Sequence, residues 1–375
     1  MKRINYVLSH PIQYQSPLIN YLVKKGINIK VFYRSTKSLN GYYDIGFKKK
    51  IKWDINLLKG HKYDFLKFIG PNKTGKIFPL TVEIFKIFKD TNYIWLHGIK
   101  NWYSLSILFI NFFYKKKVLI REEIQNTNNH RSNLNMIFNK IFYKIIKKFV
   151  FKFLIIGKEN KNFYLEMGID NSKMILIPYV VNNDFFIRKK NHIKKKKNKL
   201  NILLASKFEK KKGIDIFLKS IDICNMNNKF KSMTNIIIIG NGLEENKLKK
   251  FVRENDLNNV NFKIFQNQKK LKKYYHKSDI FVLPSRYEPW GLTINEALAC
   301  KNLVVTSKNI GASKDLIKNN FNGFIFNDYK HLSKILLKIF KKRKIINQFK
   351  DRGFKIIKKW NFELCYKNLS KTIND

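Results

Sequence analysis

This 375-residue sequence predicts two successive α/β domains, each a doubly wound parallel sheet. Three observations carry that prediction. Short apolar runs alternate with amphipathic segments, and the alternation occurs twice along the chain; this pattern makes a parallel sheet with helices on both faces. The stretch RKKNHIKKKKNK at 188–199 separates the two series and cannot contribute to a core. The length is enough for two ordinary domains, and 44% hydrophobic residues supply a sizeable core for each.

In the first series, residues 4–9 read as a strand and about 15–25 as a helix. Further strands are expected at 29–33, 93–96, 118–120, 153–156 and 174–177. Residues 36–79 are less regular and read as an insertion. The second series has strands at 200–205, 235–239, 260–264, 280–283 and 303–306. Helices fall at 213–225, 244–254, 269–277 and 292–299, and the chain is mostly helical after Tyr329. The expected division is 1–187, a linker at 188–199, then 200–358, with a terminal helix at 359–375. Two such domains form a cleft, and parallel sheets bind ligands at the carboxyl ends of their strands.

Composition limits the functional classes. The formal net charge is +50, from 76 Lys and Arg against 26 Asp and Glu. Lysine accumulating on solvated faces is one source of such charge, and an anionic partner is another. Residues 139–153, NKIFYKIIKKFVFKF, interleave lysine with large apolar residues. They read either as an interfacial segment on an anionic membrane or as a core helix with a lysine-rich outer face. No RNA-recognition, helix-turn-helix or zinc-finger pattern accompanies the charge, so a specific nucleic-acid partner is not expected. Cys224, Cys300 and Cys365 form neither a metal spacing nor a disulfide framework, which points to a reducing cytoplasm. The N-terminal apolar run is too short for a signal peptide, and the stretch 105–114 is too short to span a bilayer.

The chemistry concentrates in SRYEPWGLTINEALAC, residues 285–300. A buried strand ends at Pro284, Glu288 lies in a loop, Gly291 turns into a helix, and Glu296 lies within that helix. A helix start offers unpaired N–H groups and a positive dipole end to phosphates. A carboxylate accepts hydrogen bonds from sugar hydroxyls. Upstream, LLASKFEKKKGIDIF places Lys207 and Lys212 in a strand-to-helix loop, where cations stabilise a departing diphosphate. Gly240 and Gly242 in IIIIGNGLEENKL allow tight turns and close backbone approach to a ligand. In the first domain, His10 and Gln13 follow the first strand. His97 follows a later strand, and Arg121 and Glu123 the next.

The string at 285–300 resembles the signature of the retaining glycosyltransferases of family 4, which have the GT-B fold of two Rossmann-like doubly wound domains facing a cleft. The resemblance covers nearly the whole chain and is strongest over 201–326. It implies that Glu288 faces the transferred sugar, Glu296 binds the ribose, and the amides of Gly291 and Leu292 meet the phosphates. It implies that Lys207 and Lys212 stand where the family has an arginine and a lysine, and that Gly240 and Gly242 line the donor. The SHPIQYQ start is similar to that of bacterial members that build surface polysaccharides, which puts His10 and Gln13 on the acceptor side. The family's histidine in the later first-domain loop is missing here, leaving its role open among His97, Arg121 and Glu123. Asn182 and Asn183 replace the family's usual Val-Asp, and Asp315 reads as a helix-start residue.

The resemblance implies a nucleotide-diphosphate sugar as donor, and a glycan or lipid-linked glycan as acceptor. Work in the cytoplasm, at the inner face of the membrane, fits both this and the basic surface. No cofactor is expected. Nor is a metal, because no Asp-x-Asp or zinc spacing is present and lysines with helix-end amides would replace the ion. The rival readings are a GT-B phosphorylase or epimerase, a nucleic-acid-binding protein, and a scaffold without catalysis.

Overall fold

The computed structural model describes residues 2–66, 82–124, 133–187 and 199–374; the side chain of residue 133 is excluded. The expected linker therefore lies outside the described residues, apart from Lys199. The chain divides into two compact units. Unit 1 holds 1–42, 55–182 and 361–375; unit 2 holds 43–54 and 183–360.

Unit 1 is built on seven strands: β1 (Arg3–Leu8), β2 (Asn28–Tyr33), β5 (Lys62–Phe65), β6 (Tyr93–His97), β7 (Lys117–Arg121), β8 (Lys152–Ile155) and β9 (Met174–Leu176). Between β2 and β5 the chain forms a separate two-stranded sheet, β3 (Tyr42–Asp44) with β4 (Lys49–Ile51). The main sheet runs β5-β2-β1-β6-β7-β8-β9, with parallel pairing throughout. Near-continuous apolar runs such as Ile4–Leu8 and Val118–Ile120 suit strands covered on both faces. Val7, Ile94, Leu96, Ile120 and Phe153 pack with Ile107 and Tyr143 of the covering helices.

The terminal helix Phe362–Asn374 belongs to unit 1. Tyr93 donates to Ile373 O at 3.3 Å, Asn368 to Leu176 O at 2.7 Å, and Tyr21 to Glu363 Oε2 at 2.6 Å.

Unit 2 carries β10 (Leu200–Ala205), β11 (Thr234–Ile239), β12 (Val260–Lys263), β13 (Ile280–Leu283), β14 (Leu303–Ser307) and β15 (Gly323–Phe326). Their order is β12-β11-β10-β13-β14-β15, again all parallel. This is the 3-2-1-4-5-6 order of doubly wound nucleotide-binding sheets. Ile202, Leu204, Ile236, Ile238 and Val282 pack against Phe217 and Leu336 of its helices.

The boundaries differ from the sequence expectation in two places. The chain enters unit 2 at 183, ahead of the expected 187, because the short helix Asn183–Phe186 is bonded there. Asn183 Nδ2 donates to Ile357 O at 2.9 Å and Trp360 O at 3.2 Å, and His276 Nε2 contacts Phe186 O at 2.7 Å. The part of the expected insertion at 43–54 also packs on unit 2. Phe47 meets Phe265 with ring centroids 4.6 Å apart, and Asp54 accepts from Lys269 N at 3.0 Å. Asp315 lies near the end of the helix Gly311–Leu316, so it is not a helix-start residue.

Candidate functional site

In a doubly wound sheet the ligand crevice opens where the strand order reverses, because helices leave the two central strands toward opposite faces. In unit 2 that point lies between β10 and β13. The loop after β10 closes with the turn Lys210–Lys212, and Gly213 follows at φ 63. A Cβ on Gly213 would stand 2.1 Å from Pro284 O, so only glycine lets the two loops approach. The approach brings Lys212 Nζ into direct contact with Glu288 Oε1, with both side chains only 16% exposed. Ser285 donates to the same carboxylate oxygen at 3.1 Å. Arg286 fixes the loops to one another: its backbone N–H donates to Lys211 O at 2.8 Å, and its guanidinium to Lys210 O at 2.6 Å. It also grips Asp215 through both nitrogens, at 2.8 and 2.6 Å. That pairing holds the Asp215 carboxyl below its usual range against the effect of burial.

Gly291 then caps the helix Leu292–Ala299 in a left-handed conformation, φ 94. It makes no side-chain cap hydrogen bond, and the first turn, which starts at Leu292, carries no acidic residue. Trp290 donates to Asn295 at 2.9 Å and stacks on Trp360 at 5.6 Å, fixing where the helix begins. Glu296 lies on the inner side of the helix. Burial pushes its carboxyl up to about 7, although Tyr275 donates to it at 2.9 Å and Gln268 also bonds it. Glu288, Glu296, Gly291, Leu292 and Lys212 thus gather on two adjoining loops and one helix start.

Lys207, Gly240 and Gly242 have different surroundings from those expected. Lys207 Nζ donates to both oxygens of Asp44, at 2.8 and 3.0 Å, and lies 4.9 Å from the Phe47 ring. Its charge is therefore already balanced by the segment at 43–54. A Cβ on Gly240 would fall 1.9 Å from Ser206 O, and one on Gly242 2.6 Å from Phe208 O. These glycines admit the neighbouring β10 loop: a Cβ on Gly240 would also meet the Phe208 ring, and one on Gly242 Gly46 O.

A second polar cluster stands at the corresponding reversal point of unit 1, where β1 and β6 adjoin. Glu123 Oε1 accepts from Tyr14 and from Tyr179, each at 2.6 Å, and lies 3.8 Å from His97 Nε2. His97 Nδ1 reaches Tyr6 OH at 3.3 Å. Burial would push the Glu123 carboxyl up, but the bonds to His97, Tyr14 and Tyr179 outweigh it and hold the group at about 2. Of the three first-domain candidates, the structure brings together His97 and Glu123. Arg121 is only 1% exposed and faces inward, donating to Gln15 at 3.2 Å and Pro178 O at 2.8 Å beneath the Tyr179 ring. It supports the cluster from below, which corrects its expected part as a direct sugar contact. His10 contacts Ser9 Oγ at 2.9 Å, and burial, with Lys37, Arg34 and His97 nearby, lowers its ring to about 4. Gln13 Oε1 is buried without a hydrogen-bond partner.

Sequence reasoning missed Tyr14, Tyr179, Tyr275, Asp44 and the Arg286–Asp215 pair. Arg286 lay inside the signature string, where its place beside Glu288 was the available signal. The others have no local pattern, since each acquires its partner across more than twenty residues of sequence. Among the described residues, no group of three or more His, Cys, Asp or Glu could hold a metal ion.

Residues 184–356 match the family model for glycosyl transferases group 1. The chain is similar to a probable sucrose-phosphate synthase of Thermosipho melanesiensis, 27% identical over 207 residues, covering 52% of this chain and 46% of that protein. It is also similar to the amylovoran biosynthesis glycosyltransferase AmsK of Erwinia amylovora, 30% identical over 149 residues, covering 37% and 36% of the two chains. The chain therefore spans about half, or less, of the length of these curated relatives. The solved structure of Anabaena Alr3699/HepE in complex with UDP superposes with a TM-score of 0.77 over 100% of both chains, at 16% identity. The match over 184–356 marks that stretch as similar to the glycosyl transferases group 1, and the superposition over the whole length shows the GT-B fold.

Proposed function

We propose that this protein is a retaining glycosyltransferase. It moves a sugar from a nucleotide-diphosphate sugar to a glycan or lipid-linked glycan in surface-polysaccharide synthesis. The observation that carries the reading is the Lys212–Glu288 pair at the reversal point of unit 2, with Glu296 on the adjoining helix. In this reading the donor's diphosphate lies against Lys212 and the first-turn amides of Leu292–Ala299. As the bond from the anomeric carbon to the phosphate oxygen breaks, its electron pair leaves with the diphosphate, and Lys212 and those amides stabilise the growing charge. Glu288 holds the sugar and Glu296 the ribose. In unit 1, His97 and Glu123 contact the reacting sugar, and His10 and Gln13 serve the acceptor. No metal or cofactor is invoked, because a cation and a helix start already oppose the phosphate charge.

The kinship with AmsK, named for amylovoran biosynthesis, supports the polysaccharide setting. The likeness to HepE, solved with UDP, supports a nucleoside diphosphate at the site. The test is thermal unfolding with UDP, GDP, ADP and CMP at high salt. A nucleotide bound only by the folded state stabilises it by about 2.7 kcal/mol at a hundredfold excess over its Kd. One diphosphate should raise Tm in the wild type and lose its effect in Glu296→Ala. If none of the four shifts Tm, the donor site is refuted.

A further inference from the structure

A surface helix of a soluble protein normally turns its apolar stripe inward and its polar side to water. The helix Asn133–Ile146 of unit 1 has apolar residues on both sides. Tyr143 and Ile146 are buried in the core of unit 1. On the opposite side, Leu134, Ile137, Phe138, Ile141 and Ile145 recur at three- and four-residue spacing and are 51–68% exposed. Lys140 and Lys144, also exposed, line one edge of this stripe.

The helix Trp102–Tyr114 repeats the arrangement. Ile107 and Leu108 pack into the same core, while Phe109, Phe112 and Phe113 are 65–73% exposed. Lys115, Lys116 and Lys117 follow directly. The two helices are neighbours. Lys100, at the foot of the first, contacts Asn139 of the second, and its ammonium lies 5.3 Å from the Tyr143 ring. Residues 100–152 contain two acidic side chains, Glu122 and Glu123. Glu122 is buried and accepts from Tyr143 and Tyr164, Glu123 accepts from Tyr14 and Tyr179, and the lysines of this stretch far outnumber the two carboxylates.

We propose that this face of unit 1 docks on an anionic lipid bilayer, with the phenyl and aliphatic side chains in the interface and the lysines at the headgroups. Charge and shape select this occupant. A second copy of a chain carrying +50 would bring like charge against like. A nucleic acid would satisfy the lysines but make no use of Ile137, Ile141 and Ile145, which neither stack on bases nor meet phosphates. An anionic bilayer takes both kinds of side chain. No helix among the described residues is long and apolar enough to cross a membrane, so both would lie in its plane. The proposal stands independently of the catalytic reading.

The test is flotation of the full chain with vesicles of phosphatidylcholine alone or mixed with phosphatidylglycerol. The wild type should float with the mixed vesicles only, and less as salt rises. The exposed-site variant Phe109→Ser/Phe112→Ser/Phe113→Ser should lose roughly a hundredfold in partitioning, from the apolar area it no longer buries. It should also keep the wild-type Tm. A Phe112→Trp reporter should shift its emission to the blue on mixed vesicles. Any of four results would overturn the proposal: no flotation of the wild type, undiminished flotation of the serine variant, an unmoved tryptophan spectrum, or a concentration-dependent dimer that the serine variant abolishes.

Discussion

Glu123 of unit 1, in the loop after β7, and Glu296 of unit 2, in the helix after β13, meet opposite electrostatics. Glu123 keeps a side chain 41% exposed and gathers two tyrosine hydroxyls and His97, so it is ionised down to about pH 2. Glu296 is buried with Tyr275 and Gln268, too few donors to offset its lost hydration, and titrates near 7. Burial raises both carboxyls; the number of donors decides whether it wins. Unit 1 thus carries a fixed negative charge at this cluster. Unit 2 carries in Glu296 a carboxyl near its balance point, with Tyr275 and Gln268 as its donors.

The sharpest way to break this picture is the Lys212–Glu288 pair. Lys212→Ala and Glu288→Ala should each lower kcat by about a thousandfold, from lost stabilisation of the leaving group and lost hold on the sugar. Their effects on nucleoside diphosphate binding should be opposite. Lys212→Ala should weaken it, and Glu288→Ala should tighten it by freeing the ammonium. Initial rates with calorimetric Kd values check both halves, and full activity in either variant removes its assigned role.

The next effect is the pH dependence of stability from Glu296. Its folded value of about 7 lies above its ordinary 4.5, so the folded state binds the proton more tightly. The contribution is present below 4.5 and lost as pH rises through about 7, a fall of about 3 kcal/mol. Glu296→Gln should flatten that part of the unfolding profile. Glu123 has the opposite sign: its contribution is present above 4.5 and lost as pH falls toward 2. A profile without the descending arm between 4.5 and 7 would contradict the environment assigned to Glu296.

The smallest expected effect tests unit 1. Glu123→Gln keeps the shape and removes the charge, and should lower kcat about tenfold to a hundredfold with little change in donor Kd. A change confined to Kd would place the cluster in binding, outside the reacting centre.

Much of the fold was legible because its signals are local. Apolar runs of three to six residues mark every strand of the two main sheets except β5, β12 and β15. Lys62–Phe65 alternates charged and aromatic residues at a sheet edge, and Gly323–Phe326 is a four-residue edge strand that begins with a glycine. The resemblance marks Lys212 and Glu288 separately, each at a fixed distance from turns and strands visible in the sequence, and their direct contact is a finding of the structure. The pairing of Lys207 with Asp44 has no signal in the sequence, since the two lie 163 residues apart and Asp44 stands in an irregular stretch.

By itself the sequence determined two doubly wound sheets, the signature loop and the helix that follows it, because hydrophobic periodicity and turn chemistry act within about ten residues. Only the tertiary structure decided that residues 43–54 belong with unit 2, that Arg121 is buried while His97 and Glu123 meet, and that two helices leave phenylalanines in water. Those outcomes depend on which distant side chain fills a given space or donates to a given oxygen, and no spacing along the chain encodes that choice.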